Sequence, residues 1–129
     1  MIINDNNEVF LAKRQEDDFL GGYYELPGGK MEQDETLYNT LVRETKEETN
    51  LEISKVICYI DYKDYISSKG KKTRLFNFAV KVSNPNDVIL NEYDEYKWIN
   101  INDIANINDD NIFPNVKRTI MLYKLNKEL

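Results

Sequence analysis

The chain contains no histidine. That absence removes the Ser-His-Asp triad, the Cys-His pair, a histidine general base and any histidine-bearing zinc site. Cysteine is almost as scarce. Cys58 stands alone, which excludes an internal disulfide and a multi-cysteine metal cluster and fits a reducing compartment. With five glycines and three prolines there is no Gly/Pro-rich linker, and no internal repeat or low-complexity tract divides the chain. No apolar run approaches the roughly 18 residues of a membrane span, and the start, Met1-Ile2-Ile3-Asn4-Asp5, has no basic, signal-like character. A cytoplasmic location without a membrane partner is expected. Basic residues are outnumbered, 17 Lys and Arg against 23 Asp and Glu, for a net charge of -6. That balance argues against non-specific binding to nucleic acid or anionic membranes. The 129 residues suit one domain spanning 1–129. What remains is chemistry by carboxylates, hydroxyls, lysines and arginines, with or without a hard metal ion.

Met1–Ile3 and Val9–Ala12 flank the turn cluster Asn4-Asp5-Asn6-Asn7 and read as a hairpin, its first strand short because it begins at the first residue. Residues 15–22 form a loop ending in Gly21-Gly22, and Tyr23–Leu26 is a strand fragment broken by Pro27-Gly28-Gly29. From Asp34 to Glu48 the spacing predicts a helix. Leu37, Leu41 and Thr45 form its apolar stripe, with Tyr38 and Val42 beside them, Asp34 or Thr36 as N-cap, and Asn50 in the left-handed position at its end. Strands are expected over Ile53–Tyr65, Arg74–Val82 and Glu95–Ile99, and a terminal helix from Pro114 that buries Val116, Ile120 and Tyr123. Strands around one central helix, with another at the end, suggest an α/β (α+β) fold in which a mixed sheet is covered by helices.

The chemistry concentrates between Gly29 and Leu51. Glu44, Glu47 and Glu48 stand at i, i+3 and i+4 and share an arc of about 100° on a helix. Like charges at these spacings cost roughly 0.2–0.5 kcal/mol per pair in the open. Arg43 is one candidate to offset the cost; a divalent cation with oxygen ligands is the better one. Glutamates alone read as a solvated helix face. The preceding turn Pro27-Gly28-Gly29-Lys30 changes that, because its backbone can lend a carbonyl to a metal or amides to a phosphate.

At these residues the sequence resembles the Nudix hydrolase family, in its MutT-like branch. The family box reads G-x5-E-x7-R-E-U-x-E-E-x-G-U, U being a bulky aliphatic residue. Gly29, Glu35, Arg43, Glu44, Glu47, Glu48 and Leu51 match at the required spacing. Chance agreement of the six residues other than U is roughly one in ten million per starting position. Two positions depart. Thr45 replaces an aliphatic residue, with a hydroxyl able to bond the Leu41 carbonyl, and Asn50 replaces the box glycine at a left-handed position that asparagine tolerates. The likeness extends to Phe10–Arg14 and Tyr24–Lys30, and to Glu92, six residues before Trp98. Family flanks usually include a longer first strand, which implies an element cut short at Met1.

The resemblance implies an α/β/α sandwich, the sheet flanked by the box helix and the C-terminal helix. It also implies Mg²⁺-dependent (Mn²⁺ possible) cleavage of a phosphoanhydride in a nucleoside diphosphate linked to another group. Glu44, Glu47 and Glu48 would hold the metal, with the Gly29 carbonyl and Glu92; Glu92 reads equally as a loop glutamate. Glu44 or Glu48 would polarise the attacking water, Arg43 would orient Glu44 or Glu47, and Glu35 would tie the loop to the helix. Arg14 and Lys30 are candidates for gripping phosphates, Arg14 reading nearly as well as a surface arginine. Phe113-Pro114-Asn115 resembles a segment whose asparagine reads a purine, while helix capping is the competing explanation for Asn115. These features favour a (d)NTP, or an oxidised purine NTP, cut to a monophosphate and pyrophosphate. Dinucleoside polyphosphates, hinted at by Tyr62 and Tyr65, and nucleotide sugars are the alternatives, as is a module that senses nucleotides without cleaving them. The partner is a nucleotide, and the assembly a monomer or homodimer. Lys69, Lys71, Lys72 and Arg74 read as a solvated hairpin tip, and Cys58 as a small core residue.

Overall fold

A computed structural model of the chain describes residues 1–18, 21–107 and 111–128. Part of the expected 15–22 loop therefore lies outside the described residues. The elements run β1 (Glu8–Arg14), β2 (Tyr24–Glu25), α1 (Leu37–Thr49), β3 (Ile53–Ile66), β4 (Lys72–Val82), β5 (Tyr93–Asn100), a 3₁₀ turn (Ile104–Asn106) and α2 (Pro114–Glu128).

The strands form an antiparallel sheet ordered β2-β1-β5 and an antiparallel β3-β4 hairpin. Single bridges add the mixed character, Ile2 with Val80 and Tyr24 with Ile112 in parallel, while Ile3 meets Val9 antiparallel. The period of two in β1 sorts its side chains to two faces. Val9 and Leu11 join one core cluster, and Phe10 and Ala12 join another. Ile3 and Ala79 follow the first pair, Ile2 and Val80 the second. The first cluster is closed by Val116, Ile120 and Tyr123 of α2, with Cys58 partly buried against it. The second takes in Leu51, just past α1, and packs against Trp98. Helix, strands and helix thus form three layers in an α+β fold. No helix among the described residues is long and apolar enough to cross a membrane.

Helix α1 starts where a hydroxyl can cap it. Thr36 Oγ1 accepts from the Asn39 N–H at 3.1 Å, whereas Asp34 lies outside the helix with φ 67°. The end is closed by Asn50 at φ 66°, its N–H donating to the Lys46 carbonyl. The buried face differs in part from the expected stripe. Thr45 is buried as expected, but Leu37 and Tyr38 are exposed, and Thr40 and Thr49 are buried in addition. Thr40 and Thr49 satisfy their hydroxyls on the helix itself, donating to the Thr36 carbonyl at 3.0 Å and the Thr45 carbonyl at 2.6 Å. The back-bond expected from Thr45 to Leu41 is not formed.

At the β3-β4 tip, Arg74 is drawn back onto the strands by Asp64 (2.7 and 2.9 Å) and stands 4.3 Å from the Tyr62 ring centre.

Candidate active site

Three segments meet at the N-terminal side of the site: the loop after β2, helix α1 and the segment leading into β5. Arg43 joins the first two. Its guanidinium grips both oxygens of Glu35, Nε and Nη2 each at 2.8 Å, and Nη2 also donates to the Lys30 carbonyl at 2.9 Å. Glu35 is further anchored by the Glu32 N–H at 2.7 Å and the Thr40 hydroxyl at 3.3 Å. The Arg43 hydrogen bond holds the Glu35 carboxyl well down, at about 2. Arg43 itself is pushed further up by its bonds to Glu35 and then Glu44.

The remaining nitrogen of the guanidinium serves the acids beside it. Arg43 Nη1 donates to Glu44 at 2.7 Å and to Glu47 at 3.2 Å, so one arginine bridges both glutamates. Glu44 lies against the loop backbone: a Cβ on Gly29 would overlap its carboxyl group. One turn on, Glu48 is half-buried and accepts the Gly28 N–H at 3.0 Å and the Tyr93 hydroxyl at 3.4 Å. Burial, and next the charge of Glu44, push its carboxyl up to about 7.

Tyr93 and Glu25 complete this side and were not singled out in the sequence. The Tyr93 hydroxyl also lies 3.1 Å from Glu25, and Arg14 reaches Glu25 at 3.2 Å and Asp18 at 2.9 Å. Arg14, a candidate phosphate grip, is therefore tied to two carboxylates at the cavity wall. Glu25 belongs to the Tyr24–Lys30 stretch that carries the resemblance; Tyr93 follows Glu92 directly. Those neighbours were the available signals.

Glu92 itself is exposed in a bend with φ 66°. Its segment docks on the end of α1, the Ile89 and Asn91 N–H groups donating to the Thr49 and Glu48 carbonyls at 3.0 Å. These bonds satisfy helix-end acceptors that would otherwise lack partners. Lys30 is exposed. Asn115 is the second residue of α2, inside the first turn and not at the cap.

A cavity of about 610 Å³ opens over the loop and is lined in part by Arg14, Glu25, Gly28, Gly29, Lys30, Glu44 and Asn115. That volume falls within the range of small-molecule sites, about 300–1,000 Å³. The donor set is all oxygen, carboxylates and loop carbonyls, which suits a hard cation such as Mg²⁺ or Mn²⁺. The acids are not gathered in advance. Among the described residues no three acidic side chains surround a common cation position. Glu44 and Glu47 meet Arg43, and Glu48 meets the Gly28 amide.

Known proteins resemble the chain to different depths. The chain is 39% identical over 54 residues to an 8-oxo-dGTP diphosphatase of Proteus vulgaris, covering 42% of this chain and 48% of the relative. It is 30% identical over 86 residues to a bis(5'-nucleosyl)-tetraphosphatase [asymmetrical] of Caenorhabditis elegans, covering 64% of this chain and 62% of the relative. The match thus spans about half of the first relative and under two thirds of the second. The fold is similar to the crystal structure of a MutT protein from Methanosarcina mazei Go1, with a TM-score of 0.76 and 23% identity over 99% of this chain and 91% of that one. The NUDIX domain model matches residues 1–120, and the chain belongs to that family.

Proposed function

We propose that this chain is a Mg²⁺-dependent pyrophosphohydrolase of nucleoside triphosphates, with oxidised purine triphosphates as its preferred class. The observation that carries the reading is the placement of Glu44 and Glu48. From successive turns of α1 both face the Gly28-Gly29 backbone, and Glu44 lines a cavity of nucleotide size. A bound Mg²⁺, or Mn²⁺ in its place, supplies charge neutralisation of the polyphosphate. Glu44, Glu47 and Glu48, with the Gly29 carbonyl and Glu92, would hold it. Arg43 sets the orientation of Glu44 and Glu47 and pins the loop through Lys30 and Glu35. Glu44 or Glu48 accepts a proton from the attacking water. Water oxygen bonds to phosphorus, the bridging P–O bond breaks, and the products are a nucleoside monophosphate and pyrophosphate. Lys30 meets the phosphates from the cavity rim and Asn115 meets the base from α2. A cytoplasmic enzyme, monomeric or dimeric and without non-specific affinity for nucleic acid, completes the reading.

The tetraphosphatase relative supports a second reading, asymmetric cleavage of dinucleoside tetraphosphates. One assay separates these readings. The protein is incubated with Mg²⁺ and a panel of 8-oxo-dGTP, unmodified triphosphates, diadenosine tetraphosphate and nucleotide sugars, and the products are resolved by chromatography. Monophosphate plus pyrophosphate from a triphosphate carries the first reading. Turnover confined to the tetraphosphate carries the second. No turnover together with tight binding of one compound would mark a sensing module instead.

A further inference from the structure

The cavity lining also carries polar residues from elements other than α1. Asp61 on β3, Asn77 on β4 and Thr119 on α2 line the same cavity as Gly29 and Glu44. Thr119 is 3% exposed, and its hydroxyl donates to the two Asp61 oxygens at 3.1 and 3.3 Å. The Asn77 amide nitrogen donates to Asp61 Oδ1 at 2.9 Å. Facing a carboxylate, the Asn77 amide must present its nitrogen, so its carbonyl oxygen is left as an acceptor. Asn77 is half-buried and belongs to the cavity lining. Asn115 stands one turn before Thr119, on the same helix face.

We propose that Asp61, anchored by Thr119 and Asn77, determines base specificity by accepting N–H donors of the substrate base. The inference rests on the pyrophosphohydrolase reading and deepens it. A carboxylate beside an amide carbonyl presents acceptors alone, so the base that fits best carries adjacent donors. Guanine offers N1–H and the N2 amino group side by side. Hypoxanthine keeps the N1–H and lacks the amino group, and adenine places an acceptor beside its amino donor. Thr119 is a positioning residue that holds the carboxylate toward the cavity.

The test compares kcat/KM for dGTP and dITP in wild type, Asp61→Asn, Thr119→Val and Thr119→Ser. Losing one hydrogen bond to a charged group should favour dGTP by about 10-fold or more in wild type. Asp61→Asn should bring that ratio close to one, with the loss in KM for dGTP. Thr119→Val should reduce the ratio, and Thr119→Ser, which keeps the hydroxyl, should restore it. A purely structural role would lower both substrates together and leave the ratio unchanged. An unchanged ratio in folded Asp61→Asn overturns the inference, as does equal use of both substrates by wild type. If Asp61→Asn does not fold, the Thr119 pair decides by the same ratio. If wild type cleaves neither dGTP nor dITP, cleavage of unmodified purine triphosphates fails by itself, separately from the inference. Calorimetry with GMP and IMP then tests the polar lining directly: a GMP preference lost in Asp61→Asn carries the inference, and equal affinity in wild type overturns it.

Discussion

Arg43 holds both oxygens of Glu35 at 2.8 Å while the third nitrogen of the same guanidinium reaches Glu44 at 2.7 Å. A planar fork can serve a structural carboxylate and a functional one at once; an ammonium cannot. Arg43→Lys should therefore leave the chain folded and lower kcat/KM by about 10–100-fold, the usual effect of losing a partner that orients a ligand. Steady-state kinetics beside circular dichroism checks this. Unchanged kinetics would show that Glu44 and Glu47 find their orientation without the fork.

Gly29 is required for its lack of a side chain. A Cβ there would overlap the Glu44 carboxyl, so Gly29→Ala should push that group out of place and lower kcat by about 10²-fold. Gly28→Ala is the control, since a Cβ at Gly28 meets nothing within 4 Å. Equal losses in the two variants would contradict the close approach of Glu44.

Glu48 predicts a pH dependence in the absence of metal. Its folded carboxyl is raised from 4.5 to about 7 by burial, and next by Glu44. The native state thus binds this proton more tightly than the unfolded chain. Its contribution to stability is whole below about 4.5 and is lost as the pH rises through about 7. In chelator, the wild-type melting temperature should fall between about pH 5 and pH 8, and Glu48→Gln should fall less. Parallel curves for the two proteins would remove Glu48 as the source.

The end of α1, and one of two candidates for its cap at the start, are legible because their signals are local. Thr36 caps by a bond to Asn39, and Asn50 closes at φ 66°. The alternation in β1 was equally local, and it sorts Val9 and Leu11 from Phe10 and Ala12. The burial of α1 is legible only in part, at Thr45. Hydropathy favours Leu37 over Thr40 and Thr49, yet a threonine that bonds its own helix can be buried. The partners that complete the site were out of reach for a different reason. Tyr93 meets Glu48 across 45 positions and Thr119 meets Asp61 across 58, pairings set by sheet register and helix packing. The box spacing told which acids share a helix face. It did not tell that Arg43 would bridge two of them, or that Arg14 would be taken up by Glu25 and Asp18.

The central claim is that the acids of α1 support metal-dependent cleavage of a nucleotide phosphoanhydride. Its most direct test is turnover of 8-oxo-dGTP and dGTP against Mg²⁺ concentration, by wild type and Glu47→Gln, with folding of both followed by circular dichroism. Glu47 is an exposed member of the set, its side chain 55% accessible, so the substitution should leave the fold intact. The account predicts Mg²⁺-dependent release of monophosphate and pyrophosphate by wild type, and turnover at background in folded Glu47→Gln. Near wild-type turnover in Glu47→Gln would contradict it.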